Sequence, residues 1–226
     1  MTSKLSFQSF LCAALLLSSP LAAFADLPRG FVYLKDVDST IATDVRYATS
    51  NNFVGKRVDG YQARKIIMTR EAAEALKKVQ ADLKGDGYEL KVFDAYRPQR
   101  AVNHFMRWVR DRGDQKTKSK YYPDIEKSTL AGGGYISGRS GHSRGSTIDL
   151  TLVKSGKGEV DMGTNFDYFG PESSHNSSQV TAEQRRNRQR LRSAMSRGGF
   201  YSYHKEWWHY TLRGEPFSEA FDFPVK

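Results

Sequence analysis

A chain of 226 residues is long enough for one domain with its own hydrophobic core and too short for two large ones. Its composition, 38% hydrophobic, 12% aromatic and 27% charged, excludes a disordered or low-complexity protein. The formal net charge of +10 attracts anions, yet no DNA- or RNA-binding motif accompanies it, so nucleic acid is not an expected partner and the charge reads as solvated surface.

The first 25 residues read as a secretory signal peptide: Lys4 precedes an apolar stretch from Phe10 to Leu17, and Ala23, Phe24 and Ala25 give a small-x-small cleavage pattern. Cleavage after Ala25 would leave a domain of residues 26–226, periplasmic or secreted, with a charge of +9, because Lys4 is the one charged residue removed. The apolar run falls short of the roughly 20 residues that a transmembrane helix requires, and nothing downstream approaches that length. Cys12, the only cysteine, lies inside the signal, so no disulfide is expected.

After a connector, residues 66–69 lead into a helix over 70–83, where Ala72, Leu76, Val79 and Leu83 recur at helical spacing before Gly85. Residues 88–94 alternate as a strand that delivers Arg97 near its end, and Pro98 suits the first turn of a second helix with Ala101, Val102, Phe105, Met106 and Val109 on its apolar face. Residues 113–138, polar and rich in Gly and Tyr, read as a long surface loop or flap. Residues 146–153 alternate again, with Ile148, Leu150 and Leu152 toward a core and Thr147, Asp149 and Thr151 toward a polar cleft. Thr181 and Gln184 form a capping box for a helix over 182–197 whose arginines are expected to coat its solvent face. A last strand is expected over 206–212, followed by an irregular tail on the surface.

His142 and Asp149 stand seven positions apart, and Glu206 to His209 adds a second histidine beside a carboxylate. A His, Asp, His set with a spare Glu is what a catalytic zinc requires: three nitrogen and oxygen ligands and one open position for water. Either pair alone would pass for ordinary polar residues; together they mark a metal site. Residues three apart on a regular strand face opposite ways, so Glu206 and His209 reach one metal only if a turn or bulge intervenes near Trp207. His104, His175 and His204 fall outside the pattern and suit helix-surface or loop positions, with His204 close enough to be an outer partner of the site. Trp207 and Trp208 suit the pocket wall or the core.

Residues 140–150, 94–98 and 206–210 resemble the three signature segments of the VanX-type D-alanyl-D-alanine dipeptidases, and the likeness extends to 44–55, 162–167, 188–193 and 221–226. The wider family, which shares the zinc ligands, includes D,D-carboxypeptidases, cell-wall endopeptidases and hedgehog-like domains. The resemblance implies an α+β domain, a central antiparallel sheet flanked by helices with a zinc cleft. It also implies one Zn2+ on His142, Asp149 and His209, with Glu206 as catalytic base and Arg97 steadying the oxyanion. Asp167 would receive the free ammonium of a small D,D-dipeptide substrate, Ser140 its carboxylate, and Tyr47 would line the same pocket. Three readings stay open: a dipeptidase of wall turnover or scavenging, a carboxypeptidase or endopeptidase on wall peptides, and a silent zinc domain that binds wall fragments. Oligomeric state is not legible.

Overall fold

The computed structural model describes residues 27–226, so the signal-peptide reading lies outside the described residues. In chain order the elements are β1 (Phe31–Tyr33), α1 (Leu34–Val37), β2 (Ala42–Thr43), β3 (Ile67–Thr69), α2 (Arg70–Gly85), β4 (Tyr88–Asp94), α3 (Gln99–Arg110) and α4 (Lys118–Tyr121). They continue with β5 (Thr147–Lys154), β6 (Gly158–Glu159), α5 (Ala182–Arg197), β7 (Phe200–Ser202) and β8 (His209–Leu212). The main sheet runs β2-β4-β5-β8-β7 with β6 added to β5, while β1 and β3 form a separate antiparallel pair. The class is α+β, as expected. One edge departs from the antiparallel reading: β2 pairs with β4 in parallel, because α2 and the long segment before it intervene and return the chain as a crossover rather than a hairpin.

The periodic segments fold for the reasons their patterns give. In α2 the apolar stripe of Ala72, Leu76, Val79 and Leu83 is at most 1% exposed, and the Thr69 hydroxyl caps the helix by accepting from the Ala72 amide. Burying each such Leu or Val contributes roughly 1.5–3 kcal/mol. Gln80, also buried, accepts from the Leu90 amide at 2.7 Å and fixes α2 against β4. Helices α2 and α5 pack on each other and on the strands, covering the face on which Ile148, Leu150 and Leu152 lie. Thr147, Asp149 and Thr151 occupy the opposite face and are buried as well, since a second, aromatic layer covers that side. Its contacts include Phe93 stacked on Phe166 at 4.6 Å, and Phe53 against Phe105 and Trp108 at 4.7 and 5.0 Å.

Several expectations need correction. The connector before residue 66 holds β1, α1 and β2 and buries Tyr47, Phe53, Val54, Val58 and Tyr61. The 113–138 segment is no simple surface loop: it contains α4 and buries Tyr121, Tyr122, Leu130 and Ile136, while the Lys127 ammonium donates to the Asp111 and Asp114 carbonyls. The tail does not merely lie on the surface. Val225 is buried and bridges Tyr61, and Phe223 stacks on Tyr96 at 4.0 Å, because aromatic side chains spaced along an irregular chain still gain from leaving water. In α5 the capping box forms as read, but Arg188 is buried beneath the helix rather than solvated.

Candidate active site

The sheet register aligns the site. Asp94 pairs with Asp149 across β4 and β5 after an irregularity between Val92 and Asp94, and Asp149 pairs with His209 across β5 and β8, so three functional side chains share one row. His142 joins from the 3-10 turn Gly141–Arg144, which Gly145 ends in the left-handed conformation. An added Cβ at Gly145 would meet the Phe31 ring, so both the backbone and the packing require glycine there. The Arg97 amide donates to the His142 carbonyl at 3.2 Å, tying the end of β4 to this turn.

The expected turn near Trp207 is present. Strand β8 begins only at His209, and the His209 amide donates to the Glu206 carbonyl at 3.3 Å across a turn at Trp207 and Trp208. This brings Glu206 Oε2 to 3.4 Å from His209 Nδ1. Trp208 lines the cleft and Trp207 donates from its indole to Thr164, so one tryptophan walls the site and the other props the loop behind it.

His142 Nδ1 lies 2.8 Å from the Ala95 carbonyl and must carry the proton there, which leaves Nε2 with a free electron pair. That Nε2 faces Asp149 Oδ2 at 3.2 Å and His209 Nδ1 at 3.4 Å, and His209 Nδ1 lies 3.1 Å from Asp149 Oδ1. One ligand atom from each of His142, Asp149 and His209 falls within 4.8 Å of the other two. Asp149 Oδ1, buried, makes no hydrogen bond among the described residues. Three electron-pair donors that converge with an orphaned carboxylate oxygen fit a cation of zinc's preference. Burial, and the Arg97 charge after it, keep His142 below the ordinary histidine range, hence neutral and ready to ligate. Burial pushes the Asp149 carboxyl up, but His142 and His209 outweigh it and hold the group well below the usual range.

Arg97 bridges the row, donating to Asp94 at 2.9 Å and to Asp149 at 3.3 Å, with its guanidinium 5.1 Å from the Tyr47 ring centre. Asp94 in turn accepts from the Tyr61 hydroxyl at 2.6 Å. Arg97 is therefore both the structural ion pair that its spacing from Asp94 allowed and a cation on the cleft wall. Glu206, 7% exposed, is pushed well above the usual carboxylate range by burial and then by the Asp149 charge.

Asp167, which the chain holds at φ 62°, lines the same cleft and accepts from the Tyr47 hydroxyl at 3.0 Å on each oxygen. Burial raises its carboxyl far above the usual range, and Asp149 adds to this. Ser140 lines the cleft beside Arg139. The segment from Gly134 to Ile136 closes over it, latched where the Tyr203 hydroxyl donates to the Gly134 carbonyl at 2.7 Å and Lys205 to that of Gly133. The cavity is about 220 Å3, below the roughly 300–1,000 Å3 of drug-sized pockets, so it suits a small ligand.

All eight singled-out residues, Tyr47, Arg97, Ser140, His142, Asp149, Asp167, Glu206 and His209, line this one cleft. Tyr61, Phe169, Arg139 and Tyr203 were not read from sequence, and Phe105 was read only as part of a helix's apolar face; of the four, only Tyr203, a few residues before Glu206, carried any positional hint. The remaining histidines stay outside the site. His204 is exposed, whereas His104 and His175 are buried rather than at the surface, His104 because the Asp59 amide donates to its ring at 3.1 Å.

A histidine and an aspartate on one antiparallel row, met by a second histidine from the adjoining turn, with a buried carboxylate and an arginine beside them, define a metallopeptidase-type cleft. The model of the D-ala-D-ala dipeptidase family matches residues 28–226. The chain is 45% identical over 199 residues to the D-alanyl-D-alanine dipeptidase of Enterococcus faecium, covering 87% of this chain and 98% of that one. It is 44% identical over 197 residues to the D-alanyl-D-alanine dipeptidase of Streptomyces coelicolor, covering 86% and 98%. A solved vancomycin-resistance D,D-dipeptidase, in complex with a D-Ala-D-Ala phosphinate analogue, overlaps with a TM-score of 0.37 at 17% identity, over 82% of this chain and 67% of that one. The chain belongs to the D-alanyl-D-alanine dipeptidase family.

Proposed function

We propose that the protein hydrolyses D-alanyl-D-alanine to two molecules of D-alanine, with one zinc ion held by His142, Asp149 and His209. The observation that carries the reading is the buried Asp167, partnered among the described residues by Tyr47 alone, in a cavity of about 220 Å3, which asks for a small substrate bearing a free ammonium. Near-complete coverage of relatives named for that reaction supports it.

When bound, zinc supplies a Lewis acid that polarises the scissile carbonyl and lowers the pKa of a water from near 16 toward about 7. Glu206 takes the proton of the attacking water and returns it to the departing amine, a task suited to a carboxyl whose affinity for protons burial has raised. Arg97, held rigidly by Asp94, offers its guanidinium to the developing oxyanion. Asp167 pairs with the ammonium and Ser140 donates to the terminal carboxylate, while Tyr47 keeps both oxygens of Asp167 aimed into the cavity. A longer peptide or a blocked amine would leave the Asp167 carboxylate without its cation, which is costly in a buried site.

The same reading includes export after Ala25 and a role in wall turnover or dipeptide scavenging, supported by Lys4, the apolar stretch from Phe10 to Leu17 and the small residues before Asp26. An exported enzyme meets dipeptide released from the wall rather than dipeptide entering wall precursors.

The deciding experiment measures D-alanine release by the zinc-loaded protein from D-Ala-D-Ala, from its N-acetylated form and from a wall pentapeptide, with Glu206→Ala as control. Cleavage of the free dipeptide far faster than of the other two, lost in the variant, is expected. Cleavage of the blocked or longer peptides as fast as the free dipeptide would assign a wall carboxypeptidase instead, and no cleavage at all would leave a binding domain.

A further inference from the structure

A second polar cluster lies on the face of the sheet opposite the cleft. His209 points into the cleft, so Tyr210, the next residue of β8, points the other way. Its ring meets that of His175 with centroids 5.8 Å apart, and His175 and Arg188 line one groove against α5. His175, Arg188 and Tyr210 are 6%, 1% and 0% exposed, and each holds a polar atom with no hydrogen-bond partner among the described residues: His175 Nε2, Arg188 Nη2 and the Tyr210 hydroxyl. None of the groove's residues lines the catalytic cleft.

Arg188 is the key oddity. Its Nε donates to the Met162 carbonyl at 2.6 Å and its Nη1 to the carbonyls of Glu172 and Ser174 at 2.8 and 2.7 Å. These are neutral acceptors, and among the described residues no carboxylate lies within 4.0 Å of this guanidinium. A buried cation without a counter-ion is destabilising, and burial accordingly draws Arg188 down to about 10. Arg185, Arg186 and Arg192 rim the same groove, exposed and likewise without ion pairs among the described residues. The guanidinium groups that line the groove offer N–H donors and lack an anionic partner among the described residues.

We propose that this groove binds a phosphate oxyanion, with Arg188 and His175 at its floor and Arg185, Arg186 and Arg192 at its rim. Its volume of about 520 Å3 far exceeds the roughly 30 Å3 share of a water molecule, so a lone bridging water would leave it largely unfilled. Phosphate is favoured over carboxylate because its additional oxygens serve more of these donors and match the guanidinium fork. Free phosphate and the headgroup of an anionic phospholipid present the same chemistry.

The test titrates the zinc-loaded protein with inorganic phosphate by calorimetry at low ionic strength. In parallel, it measures cosedimentation with phosphatidylglycerol vesicles against phosphatidylcholine ones. The comparison is the Arg186→Gln, Arg192→Gln double variant, whose changes lie on the exposed rim and leave D-alanine release as it was. Binding weakened tenfold or more in the variant supports the site, and the arm in which it occurs names the source. Equal binding by both proteins would put the phosphate elsewhere, the zinc included, and overturn the proposal; so would binding in neither arm.

Discussion

Replacing Asp167 with asparagine removes the group that ionises against a substrate ammonium and little else. The residue sits at φ 62°, a left-handed conformation that asparagine tolerates and most other side chains do not, so the loop keeps its shape. The Tyr47 hydroxyl retains an acceptor at 3.0 Å. What is lost is the proposed charge-assisted bond to the substrate ammonium, worth about 1.5–3 kcal/mol when one partner is ionised, or roughly 10- to 150-fold in kcat/KM. The N-acetylated dipeptide makes no such bond, so its slow cleavage should change little, and the preference for the free amine should narrow by the same factor. Steady-state rates on the two substrates measure it. An equal loss on both would refute the role of Asp167 in reading the ammonium.

The same substitution carries a pH signature. Burial, reinforced by Asp149, raises the Asp167 carboxyl far above its usual range, so the folded free enzyme keeps that proton where the unfolded chain, near pKa 3.9, has lost it. Its contribution to stability is complete below that unfolded value and disappears as the pH rises through the folded one. Asp167→Asn, which has nothing to ionise, should therefore gain in Tm relative to the native protein as the pH rises from 4 to 8. Activity moves the other way: kcat/KM of the native protein should fall as acid protonates Asp167, and that limb should flatten in the variant. Thermal melts and rate profiles over one pH series test both signs.

Arg97→Lys keeps a positive charge but loses the fork that spans Asp94 and Asp149, and a drop of about 10^2 to 10^3 in kcat is expected, with KM altered far less; a change confined to KM would argue against oxyanion stabilisation. Stripping the metal with a chelator leaves His142, Asp149 and His209 converging on no cation. At free zinc a thousand times its Kd, binding contributes about 4 kcal/mol, which for a chain of this size is a fall in Tm of roughly 8–16 °C, restored by one equivalent of zinc in calorimetry. Tyr203→Phe unlatches the segment over the cleft for the loss of one hydrogen bond of about 0.5–1.5 kcal/mol, so KM should rise some 2- to 12-fold while kcat holds; an unchanged KM would show that the segment closes without it.

Periodicity located what periodicity governs. Helices α2 and α3 and strands β4 and β5 were legible because each carries a repeating apolar face, and α5 because its capping box marks its start; β5 holds Asp149 directly and β4 delivers Arg97 just beyond its end. The segment before residue 66 was not legible, since Tyr47, Phe53, Val58 and Tyr61 are buried singly along an irregular path that no repeat announces. Arg188 was misplaced because an arginine on a polar helix reads as solvated, and only tertiary structure shows three carbonyls drawing it inward. The argument from the requirement of the site succeeded where pattern failed. Glu206 and His209 cannot share a metal on a regular strand, and the chain breaks its strand between them. Three further departures from regular backbone fall in the same place: the register shift before Asp94, the left-handed Gly145 behind His142 and the left-handed Asp167. Regular secondary structure spaces side chains at fixed intervals, whereas a cation, a base and an ammonium receptor within one small cavity need spacings that no single interval supplies. The irregularities of this sheet are thus the places where the fold gives way to the chemistry, and a sequence is best searched for such a site where its pattern breaks.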